Sequence, residues 1–328
     1  MEDFDSTSDY AESFSASEFT SIKTNRLLNL YEHGRYVPNQ LLLEATLTPD
    51  SRYQGIIADR YGLPNDEAEQ LREGIKHRLY LDHILNGEYF FAPVGQLPQK
   101  IVDLGTGTVA EKYPSARVIG TDISAIQPSW TPPNLEYRVE DLEDDHRPWT
   151  SIYNNADLMH CRFLMQVVRD PKRMLQTIYD RLKPGGWVEC HDIVPEVYSD
   201  DGSVGDNHPV NRVYDLIDGP FTEFYKWNLH IALKLPDLLR EVGFVNISTR
   251  RNKIPMGRWP SEHSEREMGL FQQAIVLDFA LAVLAKRDIL GLDQDEAAEL
   301  GQQVLESVND PGVHAYMDWA DVWAQKPE

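Results

Sequence analysis

The sequence predicts an α/β fold built on a parallel sheet. From Lys100 onward, short β-branched runs alternate with helical patterns, as expected when crossover helices cover a parallel sheet. The first run turns through Gly105-Thr106-Gly107, and the second ends at an acidic residue, Asp122. Between the fourth and fifth runs, Pro171–Leu182 places Met174, Leu175, Ile178 and Leu182 on one helical face before LKPGG.

The strand candidates, in order, are Ile101–Leu104, Arg117–Gly120, Leu135–Val139, Ala156–Cys161 and Trp187–Cys190. Upstream, Asn65 or Asp66 can cap a helix with apolar residues at Leu71, Ile75, Leu79 and Ile84, stopped by Asn86-Gly87. Downstream, a helix over Pro236–Gly243 leads into a run at Phe244–Ile247, and Met268–Leu292 is a long helical pattern. Residues 1–21 are acidic and Ser-rich with few aliphatics, which predicts a disordered acidic tail.

Composition narrows the function. The chain has 328 residues and 31 Lys+Arg against 53 Asp+Glu, a formal net charge of −22, so nucleic acid is not an expected partner. Hydrophobic residues make up 41% of the chain, enough for a buried core. The longest apolar run, Ala274–Ala285, contains Asp278 and falls short of the ~20 residues that cross a bilayer, so no membrane association is expected. The first residues, MEDFDSTSDYAES, are acidic and Ser-rich without a basic flank or apolar core, so a cytoplasmic or nuclear location is expected. Cys161 and Cys190 are too few for a disulfide framework and lack a zinc-binding spacing; both read as small core residues, and no metal site is expected.

The stretch KIVDLGTGTVAEKYPSARVIGTDIS, residues 100–124, carries the most chemistry. Glycines after the first strand let a backbone approach a ligand, and a carboxylate at the next strand end can accept hydrogen bonds from ribose hydroxyls. That is the chemistry of a nucleoside cofactor. The third strand runs into Glu140-Asp141-Leu142, where a carboxylate can receive an adenine amino group. A nicotinamide dehydrogenase fits less well, because Gly105-Thr106-Gly107-Thr108-Val109-Ala110 lacks the final glycine of the dinucleotide loop.

Glycine loop, two acidic strand ends and a late LKPGG turn, in that order, resemble the class I S-adenosylmethionine-dependent methyltransferases. The segments LPNDEAEQLREGIKH at Leu63–His77, IGTDISAIQPSW at Ile119–Trp130, LKPGGWVE at Leu182–Glu189 and HAYMDW at His314–Trp319 are similar to fungal LaeA-like secondary-metabolism methyltransferases. The resemblance implies a Rossmann-like methyltransferase sheet, S-adenosyl-L-methionine as cofactor, and a small-molecule acceptor or, alternatively, a regulatory protein partner. It implies an N-terminal helical cover over 22–99, a core over 100–260 and a C-terminal helical extension over 261–328. Cofactor-binding candidates are Gly105, Gly107 and Asp122, then Asp141, with Asp103 supporting the loop.

Two departures from the family pattern stand out. After Thr108 the usual third glycine and apolar helix are missing, leaving Thr106–Ser115 between the first two strands. A parallel crossover with its helix takes about a dozen residues or more, and Pro114 removes the end of this stretch from helical use. The sheet is expected to survive and cofactor binding to be weakened or lost. Upstream, residues 36–51 read as an insertion. Natural divergence and misassigned intron boundaries both account for the pair.

Methyl transfer from a sulfonium is an in-line displacement that needs alignment, exclusion of water and sometimes removal of a proton. His160, at the end of the fourth strand, is the first candidate for a polar group near the reacting methyl. His191, after the fifth strand, is the second, as an acceptor ligand or base. Arg162 is expected to pair with a carboxylate. Trp130, Tyr198, Phe221, Tyr225 and Trp227 can line an acceptor pocket, but large aromatics at such spacing usually belong to a core.

Overall fold

The computed structural model describes residues 62–63, 67–105, 110, 112–123, 132–146 and 149–328. The acidic tail, the insertion at 36–51, the capping candidates Asn65 and Asp66, Gly107 and Trp130 lie outside the described residues.

Seven strands form one sheet: β1 (Lys100–Leu104), β2 (Arg117–Asp122), β3 (Leu135–Val139), β4 (Ala156–Arg162), β5 (Leu182–Tyr198), β6 (Val245–Pro255) and β7 (Tyr316–Gln325). Their spatial order is β3-β2-β1-β4-β5-β7-β6. Strands β1 to β5 pair in parallel with their neighbours, while β7 runs antiparallel to both β5 and β6. The chain reverses direction across β1, placing the second strand on one side and the fourth on the other; that switch opens a crevice beyond the strand ends.

All five sequence-read core strands are present, and β1 pairs with β2 over five residues despite the short crossover. Among the described residues between them none is helical. Strand β7 was not read from the sequence, so the region 261–328 holds helices and then a strand that completes the sheet. Asp318 and Asp321 interrupt its apolar pattern, although four consecutive residues from Trp319 to Val322 are buried. Strands β5 and β6 also run longer than their apolar runs, because pairing with β7 continues the ladder where the pattern ends.

The helices follow their local signals. α1 (Glu67–Leu79) widens into a π-helical turn over Tyr80–Ile84 and ends at Asn86 and Gly87, whose φ values of 51° and 79° reverse the chain. α2 (Pro171–Arg181) starts with Asp170, whose side chain accepts from Arg173 N at 3.0 Å, and with Pro171 in its first turn. After α3 (Pro209–Phe224) comes α4 (Ile231–Val242), which tolerates an internal Pro236 and stops at Gly243 with φ 110°. The pattern read as one helix over Met268–Leu292 divides into α5 (His263–Leu284) and a short α6 (Arg287–Leu290). α7 (Gln294–Asn309) opens with a reciprocal capping box between Asp293 and Glu296.

α2 and α4 cover one sheet face, where Val102, Met159, Cys161, Val188 and Val322 meet Leu175, Ile178 and Leu235. Cys161 and Cys190 are both buried in this layer. α3, α5, α6 and α7 enclose a second core. Among the described residues α5 is long and apolar enough to cross a membrane, yet 78% of its apolar window is buried inside the fold, which makes it a core helix. The other sheet face is covered by α1, the Tyr80 turn, part of α5 and the segment around Phe90.

Candidate active site

Strand register assembles the site. Asp103 on β1 lies beside His160 on β4, which lies beside Glu189 on β5; two residues further, His191 on β5 faces Asp321 on β7. Because side chains alternate along a strand, Glu189 and His191 share one face. The result is a row of titratable groups across a buried sheet face, each no more than 1% exposed.

His160 Nδ1 and Asp103 Oδ1 are 2.8 Å apart. Burial works against the Asp103 carboxylate, but His160 and then Arg162 outweigh it and hold its pKa below the usual range. An ionised Asp103 accepts from the Nδ1–H of His160, which leaves Nε2 as the basic nitrogen. Neither His160 Nε2 nor Asp103 Oδ2 has a hydrogen-bond partner among the described residues.

His191 lies deeper in a network. Its Nδ1 meets Asp321 Oδ1 at 2.9 Å and the Tyr80 hydroxyl, while its Nε2 lies 2.9 Å from Glu189 Oε1, off the line of a good hydrogen bond. Burial drives the His191 pKa down to about 4 against the opposing pull of Glu189, and drives Asp321 up to about 8. At neutral pH His191 is therefore neutral and Asp321 protonated. A protonated Asp321 donates to Nδ1 while its Oδ2 accepts from Asn252 Nδ2 at 2.6 Å. Glu189 is also desolvated, yet His191, His160 and the amide of Phe91 keep it ionised; Phe91 N donates at 3.0 Å. The two histidine rings are 4.8 Å apart, edge to face.

The other predicted residues occupy the ends of β1 to β3. Gly105 follows β1 with φ 90°, and its N–H donates to Thr121 O at 2.8 Å. A left-handed turn at this point favours glycine. Asp122 ends β2, and Asp141 follows β3, where its Oδ1 accepts from Glu143 N at 2.9 Å. Asp103, read as a support for the loop, holds His160; residues 106–109 of that loop lie outside the described residues. His191, read as facing a crevice, is enclosed by Tyr80, Glu189 and Asp321. Among the described residues Arg162 donates to His77 Nδ1 at 2.7 Å and has no direct carboxylate partner, and burial followed by Arg162 drives the His77 pKa down to about 3. Phe221, Tyr225 and Trp227 are core residues. Tyr198 donates to Glu196 Oε2 at 2.6 Å.

Sequence reading missed Glu189, Asp321, Asn252 and Tyr80. Glu189 had a signal, since a charge inside the apolar WVEC run is unexpected in a buried strand. The others depended on β7, β6 and the π-helical turn lying beside β5 or His191.

The residues present fit a nucleoside sulfonium. Carboxylates stand at the ends of β2 and β3, a left-handed glycine follows β1, and two buried polar atoms at β1 and β4 lack partners among the described residues. A family model described as "Methyltransferase domain" matches residues 76–249. The methyltransferase pytC of Aspergillus terreus is 32% identical over 321 residues, covering 95% of this chain and 92% of that protein. The probable methyltransferase tdiE of Emericella nidulans is 30% identical, covering 80% and 83%. The secondary metabolism regulator laeA of Aspergillus flavus is 28% identical, covering 81% and 73%. The sheet order, the strand-end carboxylates and these relatives together show that the chain belongs to the class I S-adenosylmethionine-dependent methyltransferases of fungal secondary metabolism.

Proposed function

We propose that this chain methylates a small-molecule intermediate of a fungal secondary-metabolite pathway, with His160 taking the acceptor's proton. The observation that carries the assignment is the Asp103–His160 pair: one ring nitrogen is held by a carboxylate and the other has no partner among the described residues. In this reading Asp122 receives the ribose hydroxyls, Asp141 the adenine edge, and Gly105 and Gly107 let the backbone approach. When bound, S-adenosylmethionine supplies an electrophilic methyl group. The acceptor would take that methyl as the sulfonium leaves as a neutral thioether, and His160 Nε2 would receive the proton the acceptor gives up. Asp103 orients the ring and offsets the charge it gains. His191 acts as a positioning residue, holding the His160 edge through ring contact.

The test is methyl transfer from labelled S-adenosylmethionine into a host extract. Labelled small molecules with the native protein, and strong loss with His160→Gln, support the proposal. Undiminished transfer by His160→Gln overturns the role of His160.

A second reading, a catalytically impaired regulator acting through protein partners, is favoured by one feature of the sequence: only Thr106–Ser115 lie between the first two strand runs, fewer residues than a crossover with its helix takes. In related folds a helix there supports the glycine loop. Titration calorimetry separates the two. Micromolar affinity for S-adenosylmethionine supports the enzyme reading; no detectable binding supports the regulator.

A further inference from the structure

His160, Glu189 and His191 form a compact group whose chemistry methyl transfer does not exhaust. Pairing of β4 with β5 sets His160 beside Glu189, and alternation along β5 brings His191 to the same face two residues on. All three are 0% exposed, and each can offer one ligand atom such that the three atoms lie within 4.8 Å of one another. The far side of each residue is already held. His160 Nδ1 lies on Asp103, and His191 Nδ1 lies on Asp321 and the Tyr80 hydroxyl, while Nε2 of both rings has no hydrogen-bond partner among the described residues. Glu189 is anchored through Oε2, which accepts from the backbone amides of Phe91 and Ala92 at 3.0 and 2.6 Å. Its Oε1 lies 2.9 Å from His191 Nε2.

We propose that this group is a site for a divalent transition-metal ion, with zinc the best fit, held by Nε2 of His160, Nε2 of His191 and Glu189 Oε1. Two imidazoles and one carboxylate form a donor set that suits zinc and its neighbours and disfavours magnesium, which prefers oxygen. A metal-binding histidine usually turns its other ring nitrogen to a carboxyl group or carbonyl that fixes its orientation, and both rings do so here, through Asp103 and Asp321. Zinc–ligand bonds of about 2.0–2.2 Å put tetrahedral ligand atoms about 3.3 Å apart, so the group needs to close by about 1.5 Å at most. Coordination at His191 Nε2 puts the ring proton on Nδ1, where Asp321 accepts it as a carboxylate, so one proton leaves as the ion binds. The three ligands meet only across β4 and β5, which is why the cysteine spacing gave no sign of a metal site. The ion and the acceptor's proton compete for His160 Nε2. Only that consequence rests on the reading of His160 as proton acceptor: zinc bound there stops methyl transfer.

The experiment strips the full chain with a chelator and loads it with Zn²⁺ or Co²⁺, one sample as the folded chain and a second refolded from urea with the ion present, since the site is buried. Metal content after desalting should reach one ion per chain. The Co²⁺ form should show the visible absorption of cobalt bound through nitrogen, and Zn²⁺ but not Mg²⁺ should remove it. Glu189→Gln and His191→Gln should each weaken metal binding at least about tenfold, and Asp103→Asn, which loosens the His160 ring, about 10–100-fold. Absence of the cobalt absorption from both native samples overturns the proposal without any variant having to fold, and so does an absorption unchanged in Glu189→Gln and His191→Gln. Zinc bound at this site with methyl transfer undiminished would overturn the role of His160 and leave the metal site standing. Methyl transfer by a chain that takes up neither ion would do the reverse.

Discussion

The two faces of the central sheet bury different chemistry. Under α2 and α4 the strands present Val102, Met159, Cys161, Val188 and Val322 to other apolar side chains. Under α1 and the Phe90 segment the same strands present Asp103, His160, Glu189, His191 and Asp321, equally withdrawn from water. Adjacent residues along one strand supply both faces, as Met159, His160 and Cys161 do on β4. Burying apolar groups stabilises the fold directly, whereas burying ionisable groups stabilises it only where partners replace the lost water. The apolar face therefore accounts for much of the sheet's stability, and the polar face carries the proposed site.

That division can be broken by substitution. The largest effect should follow His160→Gln, with methyl transfer falling by about a hundredfold or more while the melting temperature changes little. Rate measurements beside thermal unfolding check this, and a large loss of stability with the rate per folded molecule preserved would move His160 to the structural side. On the opposite face, Leu175→Ala removes a fully buried side chain of α2 and should cost about 2–5 kcal/mol in denaturant unfolding. Activity per folded molecule should be retained.

Asp122→Asn should come next, weakening S-adenosylmethionine by about tenfold in calorimetry as a charge-assisted hydrogen bond to ribose becomes a neutral one. The subtlest effect is on pH. The folded pKa of Asp321 is raised to about 8, so its contribution is fully present below the ordinary carboxylate value near 3.8 and is lost as pH rises through 8. His191, lowered to about 4, has the opposite sign: its contribution is present above about 6.5 and is lost as pH falls through 4. Asp321→Asn should therefore flatten the alkaline side of the stability profile and spare the acid side. Urea unfolding at pH 5 and pH 8 measures it, and an unchanged alkaline slope would place the titration elsewhere.

Much of the apolar face was legible in the sequence. The period of α2 named Met174, Leu175 and Ile178, all buried, and the β-branched runs marked five strands. The polar face was legible only in part. Asp103 and His160 were both singled out, but their pairing was not, because it arises from the lateral register of β1 against β4. Asp321 was invisible for a related reason. Its strand looked broken by charges, and it is buried because β7 inserts between β5 and β6. Arg72 and Lys76 of the covering helix were not singled out, and both are buried.

Periodicity, glycine turns and acidic strand ends, all local properties of the chain, determined the fold class, the order of the first five strands and the cofactor chemistry. Only the tertiary structure decided which charges lose their water and that His160 Nδ1 is held by Asp103 while its Nε2 has no hydrogen-bond partner among the described residues. Those outcomes depend on residues far apart in the chain, such as His191 and Asp321, being brought within 2.9 Å. Solvent exclusion and strand pairing act between elements, so no single segment of sequence carries them.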